Sequence, residues 1–266
     1  MNRERLRDLE TMERNTSLLV KHLRHASKAE ALGESAVVDL QPFFLSHTMN
    51  TSLQFLGLEK GDDNSLSGRA RQSDFPKAFE LAQLIMIRRT LLGSLYWLSN
   101  SRAFRNACGI CRSAVRQSVD RALVATAKVH EKDTKHEPQN LLEELALHTR
   151  DTSRLTSMAL DMMLAARDTS AAAMSFLIYY LARHPGSYAR LREAVFEHFG
   201  DSSNIENMTF ENLKSCQYLQ WCMHESLRLR PSTPFGIKKA VHNTTLPRGG
   251  GPDGMSPIFV AKVCIY

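Results

Sequence analysis

Residues 151–186 read DTSRLTSMALDMMLAARDTSAAAMSFLIYYLARHPG, and the class of the fold follows from them. Leu155, Met158, Met162, Ala166, Thr169, Ala173, Phe176 and Tyr180 recur at steps of three and four, the spacing that lines one face of an α-helix. Thr149, Asp151 and Thr152 are N-cap candidates, because their side-chain oxygens can accept from the first free backbone N–H groups. Pro185-Gly186 predicts a stop at about His184. In the middle of that face bulk disappears, at Ala166, Thr169 and Ala173 with Ala165 and Ala172 at its edges. Small side chains let a flat or bulky body approach the helix backbone. Thr169 brings a hydroxyl into the gap, beside the carboxylate of Asp168. A mid-helix Thr can donate to the carbonyl four residues back, here Ala165, and bend the helix. An acid next to an alcohol on an apolar wall can relay protons to something bound there. Equally, a run of alanines is a strong helix former, and Thr169 can be a core hydroxyl satisfied by its own helix.

Outward from this stretch the chain reads as helix almost throughout. Upstream, helical patterns cover about 2–26, the run after Pro42 to near Gly57, Pro76 to Leu98, 101–129 and Leu141 to His148. Gly57 to Gly68 reads as a surface loop and Glu131 to Pro138 as a polar linker. Downstream, Tyr188 to Phe199 is predicted to be a helix closed by Gly200, Thr209 caps a short turn, and about 215–230 is a helix stopped by Pro231 and Pro234. Only then does the pattern change: Val241 to Leu246 and Ile258 to Tyr266 read as strands joined by a glycine-rich loop.

Composition narrows the function classes. With 43% apolar and 23% charged residues, the chain is ordinary globular material rather than a disordered or low-complexity one. Lys and Arg exceed Asp and Glu by 34 − 28 = 6, without any basic block of the kind that grips nucleic acid. That charge suits acidic surfaces in general, so a basic helical adaptor is a third reading. The longest nearly apolar run, Ala171 to Ala182, is well short of the ~20 residues a spanning helix needs. Five cysteines and a start without signal-peptide character argue for a reducing compartment. Cys108 and Cys111 form a lone CxxC with no second pair at zinc spacing, so they are either a functional pair or two small residues on a helix.

A second constellation is Glu225-Ser-Leu-Arg228. Its i, i+3 carboxylate and guanidinium can pair on a helix face, which by itself contributes only about 0.2–0.5 kcal/mol. In order and spacing, Ala165-Ala-Arg-Asp168-Thr169-Ser170 followed by Glu225-x-x-Arg228 just before Pro231 resembles the cytochrome P450 superfamily. The form of the first motif is similar to that of the fungal alkane- and fatty-acid-hydroxylating branch, as are Asn243 to Gly254 and the run Phe43 to Leu56.

The resemblance implies a mainly α fold: the helical half of a cytochrome P450, with a few short strands at the C-terminal end. Residues 1–266 would form one partial domain, lacking the N-terminal anchor, the first helices and the C-terminal haem-cysteine loop. It implies a haem-thiolate monooxygenase that hydroxylates long-chain alkanes or fatty acids with dioxygen, supplied with electrons by NADPH-cytochrome P450 reductase at the endoplasmic reticulum membrane. Residue by residue, Asp168 and Thr169 match the acid and alcohol that deliver protons. Ala165 and Ala166 match the small positions facing oxygen and substrate, although the family usually has Gly where Ala166 stands. Glu225 and Arg228 match the structural pair, and Lys238 stands where the branch commonly has an arginine near a haem propionate. The family's haem iron is held by a cysteine thiolate, whose electron donation favours O–O cleavage. Cys264, the only cysteine after the Glu/Arg motif, lies in a strand pattern without the family's surrounding glycine and arginine, so no metal ligand is assigned. The expectation for the literal chain is therefore a truncated, non-catalytic product that binds no haem, and a peripheral or cytosolic one.

Overall fold

The computed structural model of the chain describes residues 9–30, 37–58, 75–131, 138, 140–200, 208–234, 236, 238 and 240–262. Along them run α1 (Leu9–Glu30), α2 (Gln41–Phe55), α3 (Phe75–Leu92), a 3-10 segment (Gly93–Ser99) and α4 (Arg102–Glu131). Then follow α5 (Leu141–His148), α6 (Thr152–Arg183), α7 (Pro185–Phe199), α8 (Phe210–Ser215) and α9 (Gln217–Leu229). β1 (Thr244–Gly250) and β2 (Ser256–Val260) close the series as an antiparallel hairpin. The mainly helical class with short C-terminal strands is the one expected.

Local chemistry accounts for most boundaries. Pro42 falls in the first turn of α2, where its missing N–H costs nothing. That helix ends in two backbone bonds of the Schellman type, Leu58 N–H to Leu53 O (2.8 Å) and Gly57 N–H to Gln54 O (2.8 Å). Gly57 takes φ +72°, and a Cβ there would run into the Asn140 side chain. Asn140 in turn caps α5 by accepting from Glu143 N–H at 2.9 Å, and this cap starts the helix. Pro185 starts α7 immediately after the C-cap of α6, three residues before the predicted Tyr188, because proline is tolerated at a first helical position. Thr209 caps α8 through Asn212 N–H (3.2 Å).

The hairpin departs from its predicted bounds. β1 takes in Pro247 to Gly250, which read as loop, while β2 begins at Ser256. Pairing runs Thr244 with Val260 to Leu246 with Ile258, then shifts before Gly250 with Ser256. Pro247, which has no N–H to give a ladder, falls in the shifted section. The segment 59–68, most of the 131–138 linker, and Cys264 with the end of the predicted last strand lie outside the described residues.

One core joins α2 to α6. Leu53, Leu56, Phe75, Phe79, Val115, Val119, Leu142, Leu155, Ala159 and Met163 are all buried in it. α6 packs on α2, α4, α5, α7 and α9, which makes it the central strut, and α3 packs on α4.

Candidate functional site

Asp151 caps α6, its carboxylate accepting from Ser153 N–H (2.9 Å) and Arg154 N–H (3.1 Å). From that fixed start the helix turns Leu155, Ala159, Met163, Arg167 and Ala171 into the interior. This stripe of steps of four is rotated from the predicted face. Leu155 belongs to the core, while Met158, Met162, Thr169, Ala173, Phe176 and Tyr180 are half-buried and Ala165 and Ala166 are exposed. The gap in bulk at Ala165 and Ala166 is therefore open at the surface of the described residues.

The Thr169 hydroxyl donates to Ala165 O at 2.7 Å, as its position in the helix predicted. The Thr169 carbonyl accepts a further bond from Ser232 Oγ at 2.9 Å. Ser232 follows the Glu225/Arg228 helix by a few residues, so this bond and the packing of α9 on α6 bring the two sequence constellations together.

Asp168 points elsewhere. One residue along a helix is a rotation of about 100°, and its carboxylate meets α3: Gln83 Nε2 donates to Oδ2 at 2.8 Å. Oδ1 lies 3.3 Å from Arg167 Nη1 as an ion pair, yet is buried without a hydrogen bond. Arg167 itself is 5% exposed. Its Nη2 donates to Glu80 Oε1 at 2.7 Å and its Nη1 to Gln83 Oε1 at 3.3 Å, while Nε is buried without an acceptor. The guanidinium also lies over the Phe79 ring. The acid and alcohol that stand side by side in sequence are thus engaged on different sides of α6.

Arg228 grips Glu225 with both prongs, Nε to Oε2 and Nη2 to Oε1, each at 2.7 Å. The hydrogen bonds from Arg228 hold the Glu225 carboxyl below its usual range, and the guanidinium pKa is raised in return. Both side chains are more than half exposed. Beneath them Ser226 Oγ is buried without a partner. Lys238 is exposed in the irregular segment after α9.

Cys108 and Cys111 sit against the core on α4. Burial, with Cys108 adding to it, pushes the Cys111 thiol up to about 11, which favours the reading of two small packing residues. Cys216 is buried, and burial also raises the thiol of half-buried Cys222. Among the described residues no group of three or more His, Cys, Asp or Glu is placed to hold a metal ion. A planar macrocycle fits the exposed Ala165–Ala166 turn, where small side chains and the Thr169 hydroxyl form one wall. The described cysteines fit less well as thiolate donors, since Cys111 and Cys216 are buried and burial pushes the Cys111 and Cys222 thiols toward the protonated form.

Glu80, Gln83 and Ser232 carry no signal of their contacts in the sequence. Arg167 had a signal: it extends the Leu155, Ala159, Met163 step onto a face with no other charge. Glu80 and Gln83 share a face of α3 at i, i+3, which becomes meaningful only once α3 is known to lie against α6.

A family model described as Cytochrome P450 matches residues 9–249. Cytochrome P450 52A13 of Debaryomyces hansenii is 35% identical over 98% of this chain and 51% of its own length. Cytochrome P450 52A10 of Candida maltosa is 37% identical over 98% of the chain and 50% of the relative. The chain thus spans about half the length of the curated relatives it matches. A crystal structure of a cytochrome P450 (CYP102L1) superposes with a TM-score of 0.63 at 20% identity, covering 96% of this chain and 56% of that one.

Proposed function

The chain belongs to the cytochrome P450 family, and on that premise we propose that it forms the oxygen-side half of a haem monooxygenase acting on long-chain alkanes or fatty acids. The observation that carries this is the α6 turn itself: two exposed alanines followed by a hydroxyl pinned to the helix backbone. Haem, when bound, supplies the activation of dioxygen. Ala165 and Ala166 keep the wall low enough for a flat macrocycle and an apolar chain to lie against it. Thr169 Oγ1, having given its proton to Ala165 O, keeps lone pairs free to accept. Asp168 holds the acid of the relay, with Oδ1 as the oxygen not yet hydrogen-bonded. Glu225 and Arg228 brace the helix next to α6, and Lys238 offers an exposed point charge to a propionate. The substrate class rests on the resemblance of the first motif and of Asn243 to Gly254 to the alkane- and fatty-acid-hydroxylating branch.

Electrons would come from NADPH-cytochrome P450 reductase. Contact with the endoplasmic reticulum membrane is supported by exposed Leu84, Ile87, Leu91, Tyr96, Trp97 and Leu98 beside Arg88 and Arg89. Among the described residues no helix is long and apolar enough to cross a membrane.

The state of the described thiols favours a second reading, in which this chain alone holds no haem and is non-catalytic. Reconstitution with haemin, reduction and addition of carbon monoxide separates the two. A Soret band at the thiolate position supports the monooxygenase; the spectrum of free haem supports the second reading.

A further inference from the structure

We propose that Gln83 is a positioning residue: its side-chain amide, oriented by Arg167, holds the Asp168 carboxylate against α3 and away from the Thr169 hydroxyl, so that α3 decides when acid and alcohol act together. The inference rests on the reading of Asp168 as the relay acid and adds the device that aims it.

Donor and acceptor logic fixes the amide. A guanidinium only donates, so the Gln83 oxygen must face Arg167 Nη1, and it does so at 3.3 Å. The amide nitrogen is then turned toward Asp168, where Nε2 donates to Oδ2 at 2.8 Å. No other uncharged side chain of that length both accepts from Arg and donates to Asp. Glu80, one turn earlier on α3, holds the other end of the guanidinium at 2.7 Å, so Arg167 cannot swing away and release the amide. The cluster is left with Asp168 Oδ1, ion-paired to Arg167 Nη1 at 3.3 Å but accepting no hydrogen bond, and with one unmet donor, Arg167 Nε, both atoms buried. Buried unmet groups are costly, and a purely structural ion pair would be expected to satisfy them. Here they mark a second arrangement of the same side chains: if α3 shifts and withdraws Gln83, the carboxylate is free to turn.

Three variants test this: Gln83→Leu, which removes the donor at similar volume, Gln83→Glu, which sets an acceptor against the carboxylate, and Asp168→Asn as the reference. The first readout needs no haem. In the isotope-labelled chain, the Gln83 side-chain amide protons lie downfield, and Asp168→Asn moves them upfield. The second readout is made in the haem-loaded enzyme, as coupled turnover and its solvent deuterium isotope effect. Gln83→Leu lowers coupled turnover about tenfold, less than the roughly 10²–10⁴-fold that a positioned proton donor contributes, and changes the isotope effect while the substrate-binding spectrum stays unchanged. Gln83→Glu does the same or more. A residue that only stabilised the fold would lower the melting temperature and leave the isotope effect alone, and that result overturns the proposal. So does a Gln83 amide indifferent to Asp168→Asn. If Asp168→Asn itself leaves turnover and isotope effect unchanged, the relay reading fails and takes the proposal with it.

Discussion

Arg167 carries a full charge into the interior with 5% of its surface exposed, and three side chains from two helices keep it there. Deleting one partner of a buried ion pair typically costs about 3–5 kcal/mol. Glu80 is 57% exposed and stays hydrated when the guanidinium goes. Arg167→Ala should therefore sit at the low end, about 3 kcal/mol, read as a fall in the urea midpoint at constant slope. Arg167→Lys keeps the charge but lacks the fork, and should recover only part of the loss. Thr169 was legible in advance because its bond to Ala165 depends on nothing outside the helix. The Arg167 cluster was not, because its partners lie more than eighty positions away in sequence and only the packing of α3 brings them near.

Between elements, Gly57 is the tightest joint. Its positive φ ends α2, and the space where a Cβ would stand is filled by Asn140, the cap of α5. Gly57→Ala should cost about 2 kcal/mol, summing backbone strain of ~1 with loss of the cap at ~1, and equilibrium unfolding in urea measures it. The α1–α2 contact carries a pH dependence. His47 lies 3.3 Å from the Asn15 carbonyl, and burial lowers its pKa more than that contact raises it. The native state therefore binds this proton less readily than the unfolded chain does. Stability is full above the unfolded value of about 6.5 and is lost as pH falls through the lower folded value. Melting temperature followed across about pH 8 to 5 should show that loss, and His47→Gln should flatten it. Helix positions were readable from periodicity and caps. The hairpin's register was not, since its shift depends on which of several glycines and prolines the partner strand can accommodate.

At the scale of the molecule, a run of exposed apolar side chains among the described residues extends from the end of α3 through the 3-10 segment, with Leu91 76%, Trp97 60% and Leu98 61% exposed. Aromatic and aliphatic side chains flanked by arginines suit the boundary between water and lipid headgroups. Vesicles containing anionic lipid should pull the chain into the floating fraction, and Leu91→Glu with Trp97→Ser should return most of it to the soluble one. The cysteines offer a fold-wide check: iodoacetamide at neutral pH should alkylate Cys108 and Cys222 ahead of Cys111 and Cys216, an order that vanishes in denaturant.

β1 and β2 are each paired along a single side among the described residues. Half of their amides face inward to the partner and half face outward with no ladder bond. Deuterium uptake across the regularly paired stretch, Thr244 to Leu246 against Ile258 to Val260, should consequently alternate, slow then fast at successive positions. A short extended peptide laid along either margin would erase the alternation on that side first, because the fast amides are the ones it would engage.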